Sequence, residues 1–110
     1  MSIDICSMKA TEIVAHITSG KLTAEAVMYD HLARIEARES EVNAFIDFDA
    51  ERALMLARAA DQRPEKGLLH GVPFAVKDII DTVDLPTSWG SPIYSGFQPP
   101  RNASCVEMLM

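Results

Sequence analysis

Cysteine is scarce in this sequence: there are two, Cys6 and Cys105, near opposite ends and in neither a CxxC nor a Cys/His metal spacing. That excludes a disulfide framework and a cysteine-based metal centre, and it leaves two reduced thiols as the expectation. Long apolar runs are missing as well. No stretch approaches the roughly 18 to 20 consecutive apolar residues that a membrane span requires, so no membrane association is expected. Positive charge is thin, with sixteen Asp and Glu against ten Lys and Arg for a net charge of -6. Without a basic cluster to neutralise a run of phosphates, nucleic acid is not expected as a direct partner. The N-terminal stretch MSIDICSMKATEIVAHI carries Asp4 where a secretory leader is basic and lacks a small-residue cleavage site, which predicts a cytoplasmic protein. The three histidines lie at ligand spacing neither from one another nor from a cysteine, so they read as structural and no metal is expected.

Hydrophobic residues, by contrast, make up 48% of the 110 positions, enough for a core and for one domain or a piece of one. Ser7 is placed to cap a first helix whose apolar positions Ala10, Ile13, Val14 and Ile17 share a face and which ends near Gly20. A second helix follows Thr23, with Glu25 in its first turn and a stripe of Val27, Met28, His31, Leu32 and Ile35. Residues 43 to 48, NAFIDF, read as a short strand. Asp49 then caps AERALMLARAA, whose alanine face (Ala53, Ala57, Ala60) calls for close packing, and this helix should stop before QRPEKG. Beyond Thr82 the segment VDLPTSWGSPIYSGFQPP has no periodicity and reads as a long loop. Trp89, Ile93, Tyr94 and Phe97 predict that it is ordered and packed. Asn102 is the expected cap of a last helix bearing Val106, Leu109 and Met110.

HGVPFAVKDIIDT, residues 70 to 82, is the informative stretch. Val72 to Val76 reads as an apolar strand that runs directly into Lys77 and Asp78. A lysine at a strand end can simply lay its stem along apolar surface and hold its ammonium in water. It can also serve as a proton acceptor, which requires the neutral amine. A lysine with the ordinary pKa of about 10.4 would need that value lowered by about three units, at a cost of roughly 4 kcal/mol. Strand alternation points Asp78 to the face opposite Lys77. Asp78 and Asp81 are read as turn acceptors for backbone donors.

LLHGVPFAVKDIIDTVDLPTSWGS, residues 68 to 91, closely resembles the N-terminal block of the amidase signature family. SGKLTAEAV, HLARIEARESEVNAF and DAERALMLARAAD before it, and GFQPPRNASCVEML after it, resemble the same family, so the likeness covers essentially the whole chain. Small departures are Asn102, where the family usually has Asp, and Met110, where a basic residue is common. The resemblance implies a serine hydrolase of amide bonds with a Ser-cis-Ser-Lys triad, in which Lys77 is the catalytic general base. It implies an α/β fold, here an N-terminal fragment of the amidase signature fold: a mixed β-sheet with helices on both faces, with about three to four helices and about one to three short strands in this chain. Residues 1 to 110 would then be the N-terminal part of a single domain that stops before the Gly/Ser-rich block holding both family serines. Ser88, Ser91, Ser95 and Ser104 lack that motif's neighbours and spacing.

The expected partner is a small-molecule amide substrate of the complete protein, with neither cofactor nor metal. Alone, the chain is expected to be inactive, and its exposed strand edges would favour self-association. The alternative reading is a catalytically inactive truncated fragment that acts as an interaction module or survives as a remnant. The family includes stand-alone amidases and one component of an amidotransferase, and no residue in this chain favours either.

Overall fold

The computed structural model describes residues 3 to 110. Met1 and Ser2, with which the leader-peptide reading begins, lie outside the described residues. Among the described residues four α-helices follow one another: α1 (Ala10–Thr18), α2 (Ala24–Val42), α3 (Ala50–Gln62) and α4 (Ser104–Leu109). Short 3-10 turns occur at Ile5–Ser7 and Pro92–Tyr94. The chain divides into two compact units, the first holding the described residues up to Ala44 together with Asp49–Pro73, the second Phe45–Phe48 with Phe74–Met110.

The first unit is a small three-helix assembly. Ile13 and Ile17, one turn apart on α1, are buried with Ala24 and Val27 of α2 and Ala57 of α3. Ile5, Met8, Leu22, Met28, Ala60 and Val72 close around them. The small residues Ala24 and Ala57 let the helices approach closely, as the alanine face of α3 predicts. Ser7 does not cap α1; it sits in the preceding 3-10 turn, with its hydroxyl on the Asp4 carboxylate at 2.6 Å. The first turn of α1 is tied by the Lys9 N–H donating to Glu12 at 2.7 Å. Gly20, at φ +75°, ends that helix.

The start of α2 is held more firmly. Thr23 Oγ1 accepts from the Ala26 N–H at 3.0 Å. Asp61, near the end of α3, accepts from the N–H groups of Ala24 at 2.7 Å and Glu25 at 3.0 Å. Three otherwise orphaned donors are thus satisfied, and a carboxylate lies at the positive end of the helix dipole. Gly71, also left-handed at φ +75°, carries the chain across this core, where a Cβ would collide with Ile17 and lie 3.1 Å from the Ala24 Cβ.

The α/β expectation, a mixed sheet with helices on both faces, is not what forms: among the described residues there is no strand. Residues 72 to 77 run without regular structure, and 43 to 48 form a bend in which the Phe45 and Phe48 rings meet at 5.6 Å. Apolar, β-branched composition favours an extended backbone. A strand, however, exists only where a second backbone accepts its N–H and C=O groups. The strand edges expected as self-association surfaces are therefore absent from the described residues.

In the second unit the loop after Thr82 is ordered, as its aromatic content predicts. Trp89 meets Tyr94 edge-on at 4.7 Å and stacks on Phe97 at 5.7 Å. Thr87 is buried, with its N–H on the Phe97 carbonyl at 2.9 Å. Asn102 stands one residue before the α4 cap position and links that helix to the loop instead, accepting from the Val83 N–H at 2.8 Å and donating to Glu107 at 2.7 Å.

Candidate active-site segment

Lys77 is exposed, at the end of the extended run from Val72. Its carbonyl accepts from the Ile80 N–H at 2.9 Å, so the backbone leaves the lysine in a tight turn. Asp78 follows, and its hydrogen bonds organise the second unit. Oδ1 accepts from the Ser88 N–H at 2.8 Å, while Oδ2 accepts from the Ser88 hydroxyl and, at 2.9 Å, from the Gly90 N–H. The Asp78 carbonyl accepts from the Trp89 N–H at 2.9 Å. The Ser88 hydroxyl is the main reason the Asp78 carboxyl is held below its usual range, followed by the Ser88 and Gly90 N–H groups, with the Lys77 charge the smallest contributor.

The carboxylate adjacent to the lysine is therefore committed to a loop ten residues away. Asp78 is a turn acceptor, as its sequence context suggests, and holds Trp89 and Gly90 in left-handed backbone at φ +52° and +69°. Among the loop serines, Ser88 serves Asp78 and Ser91 accepts from the Ile93 N–H at 3.3 Å. What the sequence does not reveal is the pairing of Asp78 with Ser88. The two belong to one irregular region with no period, and the only hint is the Thr-Ser-Trp-Gly run, whose glycine suits a left-handed turn.

The histidines take backbone or neighbouring side-chain partners. In α1, His16 Nδ1 lies 2.9 Å from the Glu12 carbonyl, and in α2, His31 Nδ1 lies 2.8 Å from that of Val27. His70, 8% exposed, has Nε2 3.4 Å from the Lys66 ammonium. Burial, then the Lys66 charge, pushes the His70 imidazole below its ordinary pKa, so it is held neutral and accepts from the lysine.

Both cysteines are free thiols. Asp4, Cys6 and Asp30 bring donor atoms within 4.8 Å of one another. They satisfy each other and their neighbours: Cys6 donates to Asp30 at 3.2 Å, and Arg34 reaches Asp4 at 3.4 Å. Burial, then the Asp30 carboxylate, raises the Cys6 pKa and keeps the thiol protonated. Among the described residues no helix is long and apolar enough to cross a membrane.

The Amidase family pattern matches residues 26–110, and the chain belongs to that family. Among curated proteins it is similar to a glutamyl-tRNA(Gln) amidotransferase subunit of Streptomyces coelicolor, 47% identical over 110 residues, covering 96% of this chain and 22% of that protein. The corresponding protein of Streptomyces avermitilis is 44% identical over 112 residues, covering 98% of this chain and 22% of its own length. That of Chloroflexus aggregans is 43% identical over 98 residues, covering 86% and 20%. The chain thus spans about a fifth of the length of these relatives.

Proposed function

We propose that this chain carries the general-base segment of an amide-hydrolysing or amide-transferring active site, with Lys77 as the base and both serines outside the 110 residues. In that reaction the neutral Lys77 amine takes a proton from the bridging cis-serine, which takes one from the nucleophilic serine. The nucleophile's oxygen bonds to the amide carbon, backbone N–H groups stabilise the oxyanion, the C–N bond breaks with proton return to the leaving amine, and water releases the acid. The substrate is a carboxamide, and the protein works beside partner chains, in keeping with relatives that are components of an amidotransferase. A net charge of -6 is consistent with any tRNA contact being made by other surfaces than this one.

The observation that carries this reading is the state of the residue after Lys77. An aspartate beside a lysine would ordinarily stabilise the ammonium and oppose its use as a base. Here the Asp78 carboxylate is occupied by Ser88 and Gly90. A base without its serines forms no acyl intermediate, so the purified 110-residue chain alone is expected to release no ammonia from carboxamides. Turnover by the short chain that disappears in Lys77→Ala would contradict this assignment of the serines.

A second reading, an inactive interaction module, is favoured by exposed apolar side chains such as Leu68 at 96% and Ile93 at 87%. Light scattering separates the two. A monodisperse monomer counts against the module, and concentration-dependent association supports it.

A further inference from the structure

Asp78 makes four hydrogen bonds to three consecutive residues, Ser88, Trp89 and Gly90, three through its carboxylate and one through its carbonyl. Its covalent neighbour Lys77 adds a fifth hydrogen bond, its own carbonyl accepting from the Ile80 N–H in the turn that follows. The peptide between Lys77 and Asp78 is thus fixed on the C-terminal side of the lysine by bonds that its side chain does not share. Trp89, a non-glycine residue at positive φ, is retained in that conformation by the same clasp.

We propose that Asp78 is a positioning residue for Lys77: by clasping the Ser88–Gly90 turn it fixes the backbone that presents the lysine and keeps its own carboxylate off the lysine amine. The proposal rests on Lys77 being the base, since a positioned amine matters only if the amine acts. The Ser88 hydroxyl is the side-chain half of the clasp. Without it one carboxylate oxygen loses its strongest donor and becomes available to the neighbouring ammonium.

The test uses the 110-residue chain itself and needs no turnover, so failure of the Lys77 reading, which shows only in turnover, remains distinguishable. The rate of Lys77 acetylation by acetic anhydride at fixed pH is read by mass spectrometry in the parent chain and in Asp78→Asn, Ser88→Ala and Ser88→Thr. Amide hydrogen exchange is followed in parallel. Asp78→Asn and Ser88→Ala are expected to speed exchange at Gly90 while leaving the Ala103 N–H, bonded to the Asp81 carbonyl, protected.

Because the carboxylate is already engaged by the turn, Asp78→Asn should change Lys77 acetylation by less than about twofold. Ser88→Ala should slow it about threefold, corresponding to roughly half a pH unit of added ammonium preference at a water-exposed distance of about 4 Å. Ser88→Thr, which keeps the hydroxyl, should restore the parent rate. Acceleration of about tenfold in Asp78→Asn would mean that the carboxylate is the ammonium's ion-pair partner and would overturn the proposal. So would an unmoved rate in Ser88→Ala. If Asp78→Asn loses Ala103 protection and unfolds, the Ser88 pair carries the test by the same criteria.

Discussion

At the scale of single residues, the same kinds of group behave differently according to what surrounds them. Asp78 gains charge-assisted hydrogen bonds, whereas His70 is buried next to a lysine and loses its proton more readily than in water. The folded state consequently binds fewer protons at His70 than the unfolded chain, whose imidazole titrates near 6.5. Stability from this group is fully present above that value and is lost as pH falls toward and through the lower folded pKa. Urea midpoints measured from pH 8 to 5 should decline below about 6.5, and His70→Gln should flatten the decline. A parent profile that stays level over that range would contradict this account of His70. Gly71, the next residue, is constrained by both backbone and space. Gly71→Ala should destabilise the first unit by about 1 to 3 kcal/mol in the same assay, because its Cβ meets Ile17 and its φ is left-handed.

Elements were legible in the sequence where a local rule suffices and obscure where a distant partner decides. The alanine face of α3, the start of α2 after Thr23, Asp49 as a cap, Gly20 as a helix end, and the ordered aromatic loop follow from spacing and from side chains acting within a few residues. Ser7 and Asn102 illustrate the limit. Each is a good cap by type, yet Ser7 is drawn to the competing carboxylate of Asp4, three residues back, and Asn102 to Glu107 and to Val83, the last of which lies 19 positions away. The expected strands fail for the same reason on a larger scale, since Val72 to Val76 has strand composition but, among the described residues, no paired strand. The lysine stands out in the sequence at the end of an apolar run, and its role as base is what resemblance to a family motif implies. Its geometry came from Asp78 and Ser88, whose pairing has no periodic trace. Asp61 was likewise hidden, lying 37 positions from Ala24 along the chain. Asp61→Ala should cost the first unit about 1 to 2 kcal/mol, by loss of the shared cap at α2. Thermal and urea unfolding should report that loss, with Asp61→Asn retaining part of the stability. A variant as stable as the parent would remove Asp61 from the α2 start as an energetic contributor.

On the scale of the whole molecule, the family assignment and the exposure of Lys77 together pose one question, whether this lysine works when the rest of a related protein surrounds it. The first unit has a small buried core, and the second is held largely by hydrogen bonds around Asp78 and by three aromatic rings. Large apolar side chains such as Phe74, Ile79 and Met108 remain exposed. The most direct measurement replaces the matched portion of the Streptomyces coelicolor relative with this chain and follows ammonia release from carboxamides, with and without Lys77→Ala. A base that takes the serine proton contributes at least about a hundredfold, so the account predicts turnover in the replacement protein and its loss by at least that factor in the alanine variant. Turnover within about twofold of the unsubstituted replacement protein, a difference too small for a lost general base, would contradict it.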